Sequence, residues 1–292
     1  MKQQFKAYNF RDERLQTIQR AEEIIRIYQE QGLTLTLRQL YYQFVTRNWI
    51  TNQERSYKNL GEAISAGRLS GMLDWDAIED RVRVPRRPSE WDSIEDIVNS
   101  ALFSYRLPRW KTQKAYVELW VEKDALAGVL QPIAEEYHIT LMVNRGYSSQ
   151  SAMYDAARRF KRFPNKRNLL FYLGDHDPSG EDMVRDIRDR LQMFTANVEV
   201  TKLALTMDQV DEYNPPPNPA KMTDSRAASY VAEHGAESWE VDALPPDVLA
   251  RIIRQALDVV VDSVAMDAVK AQEELDKLEL TKAVEKIMKK RK

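Results

Sequence analysis

A chain of 292 residues, 43% hydrophobic and 30% charged, is long enough for one large domain or two ordinary ones and reads as globular rather than disordered. With no cysteine and only 3 histidines, disulfides, thiolate zinc sites and cysteine nucleophiles are excluded. Any metal site must then rest on carboxylates, which favours a hard ion such as Mg²⁺. The formal net charge of −2 argues against a generally basic nucleic-acid binder but does not decide the function.

The first third is helical. Over residues 11–31, Leu15, Ile18, Ile24, Ile25 and Tyr28 fall near one stripe, and Gly32 is a natural stop. Thr36 can cap a second helix from Leu37, and a third is expected over residues 56–66. Three helices followed by an extended segment at 82–88 predict a helix-turn-helix module with a wing. Arg81, Arg83, Arg86 and Arg87 form one basic cluster; Arg158, Arg159, Lys161, Arg162, Lys166 and Arg167 form another. The Pro, Arg and Trp mixture over 85–110 reads as a connector between domains. No apolar run reaches the roughly 18–20 residues of a membrane span, and residues 1–10 have no signal-peptide character. A cytoplasmic protein without a membrane partner is therefore expected.

From Tyr116 strands alternate with helices. Strands are expected at 116–122, 139–143, 168–173 and 198–205, with helices from about Asp124, over 149–163 and over 179–194. Four strands separated by three helices imply a mainly parallel sheet covered on both faces. In the first strand Val117, Leu119 and Val121 share one face, and Glu118, Trp120 and Glu122 the other. Pro215-Pro216-Pro217 breaks the pattern, and amphipathic helices over 248–264 and 268–289 close the chain.

Ligands of open α/β sheets gather beyond the carboxyl ends of the strands. Glu122 ends the first strand, and Gly174-Asp175-His176-Asp177-Pro178-Ser179-Gly180 follows the third. If those strands are neighbours, Glu122, Asp175 and Asp177 converge, and a divalent cation is the usual reason to tolerate such crowding. Removing Asp175 should then relieve repulsion and leave the fold intact. Ser179 and Asp182 fit a capping box, and Glu118 is a second choice of ligand. A plainer reading makes Asp175 and Asp177 turn formers before a helix. The spacing of Asp175, Asp177, Ser179, Gly180 and Asp186 also fits an EF-hand loop, although that loop should follow a helix.

In residues 37–45, at about 100° per residue, Leu37, Leu40, Tyr41 and Phe44 crowd one face. Tyr42 points away from it beside Arg38. On an open helix face the guanidinium could hold a phosphate and favour loss of the phenolic proton while the phenol attacks phosphorus.

Glu122 in Val-Glu-Lys, Gly146-Tyr147 after the second strand, and Asp175-His176-Asp177-Pro178-Ser179-Gly180 together resemble a Toprim domain of the topoisomerase VI A-subunit type. Arg38-Gln39-Leu40-Tyr41-Tyr42 resembles that family's catalytic tyrosine motif in an upstream winged helix, and Trp239-Glu240-Val241-Asp242-Ala243-Leu244 its C-terminal signature. Order and spacing agree from about residue 33 to 250. Within that family the chain resembles the stand-alone A-like ("mini-A") proteins of bacteria, phages and mobile elements. The resemblance implies an α/β chain with a winged-helix DNA-binding domain over 1–110, a Toprim-like metal-binding domain over 111–247, and a C-terminal helical tail over 248–292.

It further implies a homodimer acting on double-stranded DNA, the tyrosine of one protomer working with the metal site of the other. Tyr42 would attack a phosphodiester, aided by Arg38 and by Mg²⁺ or Mn²⁺ on Glu122, Asp175 and Asp177, giving a 5′-phosphotyrosyl link and a staggered double-strand break. Lys123, Lys221 and Arg226 join Arg38 as DNA contacts. His176 stands where the family often has a small residue, and is either a proton shuttle or without a role. No Walker motif is present, so directed strand passage would need a separate ATPase subunit. Two other functions remain open on the sequence: a Toprim nuclease using metal-activated water, and a non-catalytic DNA-binding factor.

Overall fold

A computed structural model describes residues 2–78, 88–144 and 146–289. The segment expected to form the wing lies outside these residues except for Pro88, as do Arg81, Arg83, Arg86 and Arg87.

The N-terminal part packs three helices, α1 (Asp12–Glu30), α2 (Leu37–Thr46) and α3 (Glu54–Leu69). Asp12 and Glu13 favour the start of α1 through the helix dipole. Its stripe of Ile18, Ala21, Ile24, Ile25 and Tyr28 is buried against Leu40, Phe44, Leu60 and Ile64. The Thr36 cap forms with a reciprocal partner: Thr36 Oγ1 accepts from the Gln39 amide at 3.2 Å, and Gln39 Oε1 accepts from the Thr36 amide at 2.8 Å. Helix α3 starts two residues earlier than expected and runs on to Leu69.

Inside the stretch read as a connector lies a helix, α4 (Ile94–Ser104), capped by Ser93 Oγ accepting from the Asp96 amide at 3.1 Å. The Ser93-x-x-Asp96 spacing carried that signal; the surrounding prolines and arginines obscured it. Beyond α4 the chain is fastened to the last helix by Tyr105 donating to Asp276 at 2.7 Å and by a two-bond pair of Arg109 with Glu273.

The sheet holds β1 (Ala115–Val121), β2 (Thr140–Val143), β3 (Arg167–Leu173) and β4 (Glu199–Ala204), all parallel, in the order β2-β1-β3-β4. Its crossovers contain α5 (Ala127–Tyr137), α6 (Gln150–Phe160) and α7 (Pro178–Met193). Both faces of β1 are buried, as a parallel sheet requires. Val117, Leu119 and Val121 pack with Leu130 and Ile133 of α5, while Trp120 packs with Met153 and Phe160 of α6 and Met183 of α7.

After β4 come α8 (Met207–Tyr213), α9 (Ala227–His234), α10 (Pro246–Asp258) and α11 (Ser263–Lys289). Helix α10 puts Leu249, Ile253 and Leu257 into the same core as β1 and α5, so this part of the expected tail belongs to the sheet's own packing. Among the described residues no helix is long and apolar enough to cross a membrane.

Candidate functional site

Strands β1 and β3 are neighbours in register, Val121 opposite Leu173, so the residues that follow them emerge together. The Glu122 amide donates to Leu173 O at 2.9 Å. One step later the Asp175 amide donates to Glu122 Oε2 at 3.2 Å, and the buried Tyr172 hydroxyl donates to the same oxygen at 3.3 Å. Burial keeps the Tyr172 proton firmly in place, reinforced by the charges of Glu122, Asp175 and Asp177. That phenol therefore senses all three acids.

Asp177 takes a second task. Its Oδ1 accepts from the Gly180 amide at 2.7 Å and from Ser179 Oγ at 2.9 Å, making it the N-cap of α7 with Pro178 in the first turn. The capping role expected of Ser179 thus belongs to Asp177. A Cβ at Gly180 would lie 2.1 Å from Asp175 O, so only glycine allows the chain to fold back this tightly. Because α7 begins at Pro178 and the loop follows a strand, the EF-hand reading fails.

Among the described residues no three Asp, Glu or His side chains stand together as a ready-made metal shell. What the crevice offers is Glu122 beside Asp175, with Asp177 next along the loop. That oxygen set suits an ion such as Mg²⁺, which keeps several waters and takes few protein ligands. It does not suit one that needs a closed protein cage.

The open face expected for α2 does not exist. Tyr42 is 2% exposed, and Gln39, Leu40, Tyr41, Gln43, Phe44 and Val45 are buried with it. The reason is tertiary: the segment carrying Trp239-Glu240-Val241-Asp242-Ala243-Leu244 packs across α2, with Ala243 inside the helical core. Arg38 Nη2 donates to the Tyr42 hydroxyl at 3.4 Å and also to Glu240 Oε2. Arg38 Nε lies 3.0 Å from Asp242 Oδ2, an ion pair by distance but not aligned as a hydrogen bond. Burial raises the Tyr42 pKa, Asp242 and Glu240 raise it further, and Arg38 and Lys123 oppose them without prevailing. In this arrangement the phenol is protonated, contrary to the expected activation by Arg38.

Lys123 joins the two halves of the site. Its Nζ is 2.9 Å from Asp175 Oδ1, 2.8 Å from Glu240 Oε2 and 2.9 Å from Asp242 Oδ1. Burial alone would lower its pKa, but Asp242, Asp175 and Glu240 together raise it. On Asp175 burial acts in the opposite sense, lifting its carboxyl to about 7 despite Lys123, with Glu122 and Asp242 adding to the rise. Burial also acts upward on Glu240, yet Lys123 and Arg38 bring it down to about 2. The Val241 amide donates to Asp175 Oδ1 at 2.9 Å, and residues 176 and 239 exchange backbone hydrogen bonds at 2.8 and 2.9 Å. Glu240 and Asp242 are the site residues that motif reading left without a role. Their signal was two acids alternating with apolar residues next to a buried tryptophan.

Other candidates lie elsewhere. Glu118 is fully buried, gripped by Arg159 at 2.7 and 2.8 Å and by Tyr116 and Trp120, so it cannot serve as a ligand. Arg159, and Arg167 paired with Glu199, leave the expected basic cluster with fewer free charges. Arg226 pairs with Asp182 at 3.0 Å and covers the Tyr147 ring, while Lys221 is exposed. His176 is buried, with Nδ1 2.8 Å from the Tyr230 hydroxyl and its ring against His234 and Trp239. Burial lowers its pKa, and its place is in the packing behind the acidic loop.

No protein-family model matches this chain, and no curated protein matches it either.

Proposed function

We propose that the chain is a Mg²⁺- or Mn²⁺-dependent DNA-cleaving transesterase resembling a stand-alone topoisomerase VI A subunit, with Tyr42 as nucleophile. The observation that carries this reading is the meeting of Glu122 with Asp175, two acids just past the ends of adjacent parallel strands, joined by the 3.2 Å bond from the Asp175 amide to Glu122 Oε2. Lys123 and Glu240 link Asp175 to Arg38 and Tyr42 of the same chain by ion pairs and hydrogen bonds; in the proposed dimer the tyrosine of one protomer works with the acids of the other.

Glu122 and Asp175, with Asp177 beside them, would hold the ion, which when bound offsets negative charge on the phosphate. Arg38 holds and orients a non-bridging phosphate oxygen. Tyr42 Oη loses its proton to solvent and forms the bond to phosphorus as the bond to the 3′ oxygen breaks; the departing oxygen takes up a proton from solvent, leaving a 3′-hydroxyl and a 5′-phosphotyrosyl link. One phosphoester replaces another, so resealing needs no ATP. Cutting both strands takes two tyrosines and hence a homodimer, and directed passage of a second duplex calls for a separate ATPase subunit. Lys123, Lys221 and Arg226 extend the cationic path for double-stranded DNA.

Incubation of labelled duplex with protein and Mg²⁺ or Mn²⁺, followed by denaturation, should leave DNA attached to protein, and Tyr42→Phe should abolish the adduct. The burial of Tyr42 favours one competing reading, a nuclease in which metal-activated water replaces the phenol. Cleavage that persists in Tyr42→Phe without an adduct would establish that alternative. DNA that shifts in a gel yet stays intact would leave only a binding factor.

A further inference from the structure

The crevice beside Tyr42 already holds an anion, and it belongs to the protein. Glu240 Oε2 accepts from two cations at once, Lys123 Nζ at 2.8 Å and Arg38 Nη2. The same Arg38 nitrogen lies 3.4 Å from the Tyr42 hydroxyl. Both cations have a second acid, Asp242, whose Oδ1 is 2.9 Å from Lys123 and whose Oδ2 is 3.0 Å from Arg38 Nε. The two acids differ in access. The Asp242 side chain is 0% exposed, locked in the short 3₁₀ turn Val241–Ala243, whereas that of Glu240 is 24% exposed and that of Arg38 41%. Asp242 is a fixed counter-ion. Glu240 reaches water.

An ammonium and a guanidinium converging on one oxygen next to a phenol is how a protein recognises an oxyanion. We propose that Glu240 is a resident stand-in for a backbone phosphate: a phosphodiester oxygen of DNA displaces it from between Arg38 and Lys123, and until then Glu240 keeps both cations occupied beside Tyr42. Naming the anion a phosphodiester rests on the transesterase reading; the oxyanion site itself does not. Displacement changes the local charge in a useful direction. Glu240 and Asp242 already balance Lys123 and Arg38, so the pair of cations offers a phosphate no net positive charge until Glu240 leaves.

The test uses the full chain without metal and inorganic phosphate as the probe, by calorimetric titration. Glu240→Gln keeps the shape and loses the charge, and should bind phosphate at least about tenfold more tightly than the wild type, a change of about 1.4 kcal/mol. Adding Arg38→Ala should cancel that gain. Glu237→Gln, which removes an exposed acid three residues away, should leave phosphate affinity unchanged. Equal affinity in Glu240→Gln and wild type would overturn the proposal, and so would a gain that survives Arg38→Ala or appears equally in Glu237→Gln. Should Glu240→Gln melt early, Glu240→Asp, with its carboxylate drawn back by one methylene, must still show an intermediate gain, and its absence counts against the proposal. Covalent capture of DNA is scored separately: a phosphate gain without any adduct sinks the transesterase reading but keeps the anion site, and an adduct without the gain does the reverse.

Discussion

The amide of Val241 donates to Asp175 Oδ1 at 2.9 Å, across 66 residues of chain. Asp175 therefore has a structural partner as well as a proposed ion, and its substitution tests both roles. Removing the carboxylate was expected to relieve crowding and leave the fold untouched. Instead, Asp175→Ala leaves a buried donor at Val241 unsatisfied and frees Lys123 from one of its three acids, at a cost of about 1–3 kcal/mol. Asp175→Asn retains an acceptor and should melt closer to the wild type. Thermal denaturation of the two variants side by side decides it, and equal melting temperatures for alanine and wild type would remove the Val241 bond from the account.

Glu118 within β1 and Glu122 just past its end have opposite duties. Breaking the buried pair of Glu118 with Arg159 by Glu118→Gln should cost about 3–5 kcal/mol of stability while leaving Mn²⁺ binding, followed by electron paramagnetic resonance, unaltered. Glu122→Gln should weaken Mn²⁺ binding with little change in melting temperature. An exchange of those two phenotypes would place the metal at Glu118, inside the sheet packing, and not beyond the end of β1.

The pH dependence of stability in the metal-free protein follows from two groups with separate windows. Glu240 is lowered to about 2, so the stability it contributes is present above the ordinary carboxylate range and is lost as pH falls towards 2. Asp175 is raised from 3.8 to about 7, so the folded form holds a proton that the unfolded chain has released. Its contribution is full below about 4 and fades as pH rises through about 7. The melting temperature in chelator should climb out of acid and then decline between about pH 4 and 7, a decline that Asp175→Asn removes. A curve that keeps rising through neutrality would show that Asp175 is ionised in the fold.

Mixing tests the dimer. If Tyr42 of one chain works with the acids of its partner, Tyr42→Phe and Asp175→Ala, each inactive alone, form one intact composite site when combined. Recovery of single-strand nicking of a supercoiled plasmid is the expected result. No recovery would mean that each chain uses its own Tyr42 and Asp175, along the Lys123 path.

How far local pattern reaches can be judged from particular residues. Thr36 and Gln39 were legible because a capping box needs only neighbouring positions. The two central strands, β1 and β3, were legible because a strand buried along most of its length is largely apolar, and the meeting of Glu122 with the Asp175 loop followed from placing β1 beside β3. Helix α4 was hidden by the composition around it, although Ser93 and Asp96 marked its start.

The sequence by itself determined the parallel sheet, the helical N-terminal part and the acids at the strand ends, because periodicity and capping act over a few residues. Tertiary structure alone decided that Tyr42 is buried, that Glu118 belongs to Arg159, and that Lys123 and Arg38 share Glu240 and Asp242. Those outcomes depend on contacts across 41 to 202 positions of chain, where burial and charge pairing override the direction in which a side chain leaves its helix.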